Sequence, residues 1–233
     1  METIDCEGLR IAYERAGAGP PLLLLHGYVG DGQTTWQSQI EELADEFTVV
    51  AWDAPGAGAS SDPPESFGIA GYADCLARFI EALGLDRPHV AGLSSGGALA
   101  LAFAARHPAI PNTLILASAY AGWFGSLPAD VARQRLRQAL ELSGLSPDEF
   151  IGALLPTMFS ADVPLQVVEN FGEALRSFHP VGFRALARAC AEDLRPVLSR
   201  IVVPALLVYG DTDIRAPLEV AERLRAALPQ QRW

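Results

Sequence analysis

The sequence predicts an α/β fold: a mostly parallel sheet flanked by helices and interrupted once by a helical insertion. Three observations carry that expectation. Short β-rich apolar runs alternate with longer stretches whose apolar residues recur at helical spacing, the pattern of strands joined by crossover helices. Within each run apolar residues do not alternate with polar ones, so both faces of each strand are expected to be buried. The chain has 233 residues, enough for one such domain with a sizeable core.

Residues 3–15 read as an antiparallel lead-in hairpin. Residues 22–25 form the first continuous apolar run, ending at His26-Gly27, and residues 47–52 the second, ending at Asp53. Residues 89–93, 113–117 and 204–209 supply the remaining strands. Residues 36–44, 69–83, 96–106 and 218–228 carry apolar side chains at helical spacing. From about residue 120 to residue 195 no strand-like run occurs, and helical patterns are punctuated by Pro128, Gly144, Pro147, Pro156, Pro164 and Pro180. That excursion is too long for a loop. It is expected to form a helical cap over the carboxyl edge of the sheet, where open α/β sheets bind ligands. Residues 1–119 and 196–233 would then form the core, and residues 120–195 the cap.

Composition narrows the function classes. Hydrophobic residues make up 50% of the chain and charged residues 19%, as in an ordinary globular protein. A formal net charge of -11 repels phosphates and anionic lipid heads, so neither nucleic acid nor a membrane surface is an expected partner. It weakly favours neutral or cationic substrates. Cys6, Cys75 and Cys190 lack metal-ligand spacing and read as buried free thiols in a reducing compartment. The first ten residues contain no apolar signal core, and the longest apolar run falls far short of the roughly 20 residues a membrane span needs. A cytoplasmic location is expected. Without a phosphate-cradling loop, metal cluster or nucleotide fingerprint, neither a cofactor nor a metal is expected.

Gly92-Leu93-Ser94-Ser95-Gly96 stands between an apolar strand and a small-residue helix. A G-x-S-x-G sequence in that setting forces a sharp strand-to-helix turn whose glycines admit neighbouring backbone. The turn lifts the Ser94 hydroxyl to a helix N-terminus, where free amides and the helix dipole favour an oxyanion. Ser94 is therefore the candidate nucleophile. The stretch His26-Gly27-Tyr28 follows the first core strand, and its backbone amides can face Ser94 from next door. Tyr28 N–H and Ser95 N–H are the expected oxyanion donors. The His26 side chain fits hydrogen bonding to loop backbone better than the role of a base.

Taken in order, these motifs make the chain resemble the α/β-hydrolase superfamily, in particular small esterase-like members with a helical cap. The resemblance runs through His26-Gly27, Asp53-Ala54-Pro55-Gly56-Ala57-Gly58-Ala59-Ser60, the elbow at Ser94, and Gly210-Asp211-Thr212-Asp213. It implies that the Asp53–Ser60 loop is a structural turn without a catalytic role. It implies that the triad acid is Asp213, with Asp211 as runner-up, and that this acid orients an imidazole. Serine at the elbow sets the chain apart from branches that use a carboxylate nucleophile. The implied activity is hydrolysis of carboxylic esters or lactones through an acyl-enzyme, on a small hydrophobic ester-like substrate. Carbon–carbon bond hydrolysis or perhydrolysis stays open on the same scaffold, as does a non-catalytic small-molecule binding protein.

One departure from the superfamily is large. Its chain order is serine, acid, histidine, yet no histidine follows Asp213. His89 and His107 are expected at the far end of the sheet, and His179 on the cap surface. The final strand, its histidine loop and the closing helix are expected to be missing, as in a truncated form of a longer hydrolase with weak or no activity. An unpaired sheet edge would then invite self-association or completion by another chain. Aromatic residues of the excursion, among them Trp123, Phe150, Phe178 and Phe183, would supply a pocket for apolar groups or pack between cap helices.

Overall fold

A computed structural model of the chain describes residues 1–159, 163–229 and 231–232. The lead-in hairpin is β1 (Glu2–Cys6) and β2 (Leu9–Ala16), paired antiparallel. It is followed by β3 (Pro21–Leu25), α1 (Gly32–Leu43), β4 (Thr48–Trp52), α2 (Gly68–Ala82), β5 (His89–Leu93), α3 (Ser95–Arg106) and β6 (Thr113–Ala117). Helices then run without a strand through α4 (Trp123–Ser126), α5 (Ala129–Leu142), α6 (Pro147–Leu154), α7 (Leu165–Ala174), α8 (Pro180–Ala191) and α9 (Arg195–Leu198). The chain returns to the sheet as β7 (Ala205–Val208), α10 (Leu218–Ala227) and β8 (Gln231–Arg232).

The strands lie in the order β1-β2-β4-β3-β5-β6-β7-β8. All pairs from β4 to β8 are parallel, while β2 meets both β1 and β4 antiparallel. Continuous apolar runs reflect burial on both faces. Leu22 and Leu24 join Val49, Ala51 and Ala91 on the face covered by Trp36 and Ile40 of α1. Leu23 and Leu25 join Val50, Trp52 and Val90 on the opposite face, in one core with Leu76, Phe79, Leu99 and Phe103 of α2 and α3.

Two expectations are corrected. Helix α1 starts at Gly32, four residues before the apolar spacing begins, because the Asp31 carboxylate caps it by accepting the Thr34 amide at 2.7 Å. Where the final strand is expected to be absent, Gln231 and Arg232 form β8, paired in parallel with Ala205 and Leu206 of β7.

Chain direction reverses at β3. From there the chain steps to β4 on one side and later to β5 on the other. The carboxyl ends of β3 and β5 therefore flank a topological switch point, the place where open α/β sheets form a crevice. Helix α8 ties the helical excursion to the loop after β4. Gly182 and Gly56 approach so closely that a Cβ on either would fall on the other's backbone. At the rim, Glu65 accepts from Arg184 at 2.6 Å and also pairs with Arg188.

Candidate active site

Ser94 directly follows β5 and carries φ 54° and ψ -107°, a conformation that non-glycine residues rarely adopt. Such a residue costs about 1–3 kcal/mol and persists only where its surroundings over-determine it. Here they do. The Ser94 amide donates to the Ala117 carbonyl at 2.7 Å, and the Ser94 carbonyl accepts from Ala98 at 3.1 Å in the first turn of α3. A Cβ on Gly92 would fall on the Gly96 carbonyl, and one on Gly96 would fall on the carbonyls of Leu25 and His26. The motif glycines thus let the start of α3 press against the loop leaving β3.

Ser95 opens α3, and Tyr28 lies two residues past His26 on the loop that α3 meets. No described residue accepts a hydrogen bond from either amide, and none bonds the Ser94 hydroxyl. His26 is buried and serves the loop. Its Nε2 accepts from the Ala54 amide at 2.9 Å, so the ring proton sits on Nδ1, 2.5 Å from the Gly27 carbonyl oxygen. Burial holds its pKa below the ordinary imidazole value, although Asp53 pulls the other way. Asp53 is equally occupied: its carboxylate accepts from Gly32 and Ala59 amides, each at 2.9 Å. Both residues knit the turns around the switch point together and neither touches Ser94.

Asp213 follows β7, on the same carboxyl edge. Its Oδ2 accepts from the Ser118 hydroxyl at 2.7 Å, and Oδ1 accepts from the amides of Arg215 at 2.8 Å and Ala216 at 2.9 Å. Partial burial alone would raise its pKa, but the Ala216 amide, the Ser118 hydroxyl and the Arg215 amide outweigh it and hold the carboxyl below its usual range. Asp213 is therefore an ionised, oriented carboxylate, whereas Asp211 is exposed on the turn. Ser118, at φ 46°, follows β6 between the strands that carry Ser94 and Asp213. Sequence reasoning missed it. Its only signal was position, one residue past a strand on the edge that carries the other two.

None of the four histidines meets Ser94 or Asp213. His89 contacts Thr113 Oγ1 at 2.7 Å at the start of β5, and His107 contacts Asp74 at 2.8 Å at the end of α3. His179 contacts Asp62 at 2.9 Å at the start of α8. Cys190 lies beside the Ser95 hydroxyl, but complete burial pushes its thiol up to about 12, leaving it protonated and a poor competing nucleophile.

A cavity of about 560 Å³ opens beside the crevice, walled by Tyr28, Arg135, Leu142, Leu154, Thr157 and Arg215 among others. The excursion's aromatic residues do not line it. Phe150 stacks on Phe178 at 4.0 Å and meets Phe183 edge-on at 5.2 Å, while Trp123 meets Tyr28 edge-on at 5.8 Å. Another cleft, of about 510 Å³, lies at the opposite end of the sheet beside His107 and Arg87. Among the described residues no His, Cys, Asp and Glu cluster could hold a metal ion, and no helix is long and apolar enough to cross a membrane.

A sheet of this order, with a strained strand-to-helix bend at its switch point, is the architecture of α/β hydrolases. The chain belongs to the alpha/beta hydrolase fold family, which it matches over residues 20–233. It is similar to a thermophilic esterase from Thermogutta terrifontis, solved with malate bound, at 30% identity and a TM-score of 0.86, covering 99% of this chain and 86% of that one. An enol-lactonase from Burkholderia xenovorans LB400 is 25% identical, with a TM-score of 0.88 and 99% and 89% of the two chains covered. In sequence, 3-oxoadipate enol-lactonase 2 of Acinetobacter baylyi is 28% identical over 214 residues, which is 91% of this chain and 79% of that enzyme.

Proposed function

We propose that this chain carries the nucleophile, oxyanion donors and acid of a serine hydrolase acting on small carboxylic esters or lactones. Ser94 Oγ attacks the carbonyl carbon while its proton passes to an imidazole. The carbonyl oxygen takes the electron pair and is held by the Tyr28 and Ser95 amides. Collapse expels the alcohol, which takes the proton, and water then releases the acid from the acyl-serine by the same steps. Asp213 orients the imidazole and stabilises its charged form. In this reading residues 120–195 act as the cap over a core of residues 1–119 and 196–233. Similarity to an esterase and to enol-lactonases supports the ester and lactone classes.

The observation that carries the reading is the pair of unbonded amides, Tyr28 and Ser95, beside a serine held at φ 54°. One such donor is worth roughly 3–4 kcal/mol of transition-state stabilisation. The base is the one part these 233 residues do not bring to Ser94. Loss of such a group costs on the order of 10⁶ in turnover and leaves about 10³ over water.

Hydrolysis of p-nitrophenyl butyrate tests the proposal, with free imidazole added to stand in for that base. The chain is expected to show a saturable imidazole-dependent rate that Ser94→Ala removes and Asp213→Asn lowers. An imidazole-dependent rate equal in wild type and Ser94→Ala would sink it. The position of all four histidines away from Ser94 favours a second reading, a small-molecule binding protein on the same fold. Ligand binding without any Ser94-dependent turnover would support that one.

A further inference from the structure

Arg135 and Arg215 both line the 560 Å³ cavity. Neither is paired with a carboxylate among the described residues. Arg215 donates to Thr157 Oγ1 at 2.9 Å and to the Tyr28 hydroxyl at 3.1 Å. Arg135 donates to the Tyr120 hydroxyl at 2.9 Å and the Arg215 carbonyl at 3.3 Å, with its guanidinium over the Tyr120 and Trp123 rings. All four acceptors are neutral. Each guanidinium has five N–H donors, so both retain donors for a ligand. Elsewhere on this acidic chain, arginines such as Arg106, Arg176 and Arg184 sit on carboxylates. Arg215 also acts on the nearby Asp213 carboxylate, and Glu141, 4.0 Å from Arg137, lines the same cavity, but neither carboxylate is bonded to the Arg135 or Arg215 guanidinium, and a guanidinium with donors to spare recognises a carboxylate bidentately.

Tyr28 joins this wall to the loop after β3, since it lines the cavity and its hydroxyl accepts from Arg215. Leu142 and Leu154 add apolar surface to the same cavity. From this arrangement we propose that the cavity selects esters or lactones bearing a carboxylate, the anionic end lying against Arg135 and Arg215. The inference rests on the reading of Ser94 as the reacting residue only for the word ester; the anion site itself does not depend on it.

The test is calorimetric titration of monomethyl glutarate and dimethyl glutarate, two probes of nearly equal size differing in one charge. The wild-type chain is expected to bind the monoester about tenfold more tightly, the worth of one charge-assisted contact. Arg215→Gln and Arg135→Gln are each expected to erase that preference while leaving the affinity for the diester unchanged. Ser94→Ala is expected to keep it. Equal binding of the two esters by wild type, no binding of the monoester, or a preference surviving in both arginine variants would overturn the inference. The wild-type comparison decides even where a variant does not fold. Failure of Ser94-dependent turnover with the preference intact would remove the catalytic reading and leave the anion site standing.

Discussion

At the scale of single residues, His26 illustrates how a histidine on the loop after β3 is spent on structure. Its Nε2 accepts from Ala54 and its Nδ1 proton faces Gly27, so protonating Nε2 would aim one N–H at another. The unfolded chain takes up that proton below about 6.5, while the buried folded-state ring resists it. Stability is therefore fully present above that pH and falls as pH drops below it, by up to about 1.4 kcal/mol per pH unit from this group. Urea unfolding at successive pH values reads the slope, and ring NMR reads the proton. A His26 imidazolium in the folded chain at mildly acid pH would refute the assignment. Asp213 acts in a separate, more acid window. Its depressed folded-state pKa stabilises the fold above the ordinary carboxylate range, and that contribution disappears as pH falls through it.

Among the elements, α8 is attached to the loop after β4 in two physically different ways, and magnitude ranks them. The Gly56–Gly182 approach leaves no room for a methyl group without moving backbone. The pairing of Glu65 with Arg184 and Arg188 lies at the solvent-exposed rim, where ion pairs contribute little. Gly182→Ala is expected to lower unfolding free energy by roughly 1–3 kcal/mol, and Glu65→Ala by clearly less. Chemical denaturation of both variants checks the order, and a larger loss for Glu65→Ala would invert the argument. Strand β7 shows the opposite condition. Ala205 and Leu207 are buried while Leu206 and Val208 are exposed, so its outer face lacks the cover that β3, β4 and β5 have on both sides. That face is also why a run of apolar residues is an imperfect guide to burial.

For the whole molecule, the central sheet governs stability and most of it was legible. Residues of β3, β4 and β5 announce themselves as apolar runs because both faces are covered, and the elbow announces itself because glycine is the only residue its close approaches admit. What stayed hidden was assembled from distant segments. Ser118 meets Asp213, and Arg135 meets the Arg215 carbonyl, with no local pattern to flag either pairing. The same distance makes a prediction. The amides of β3 and β5 can open only when the sheet's centre comes apart, so their hydrogen exchange is expected to report the global unfolding free energy. Faster exchange in β5 than in β6 would contradict it.

The two unbonded amides hang from different strands, Tyr28 after β3 and Ser95 after β5, and those strands meet only across the switch point. Opening the middle of the sheet would therefore separate the two amides. A molecule that lodges there is consequently a keystone as much as a guest, and its concentration sets how readily the entire arch falls.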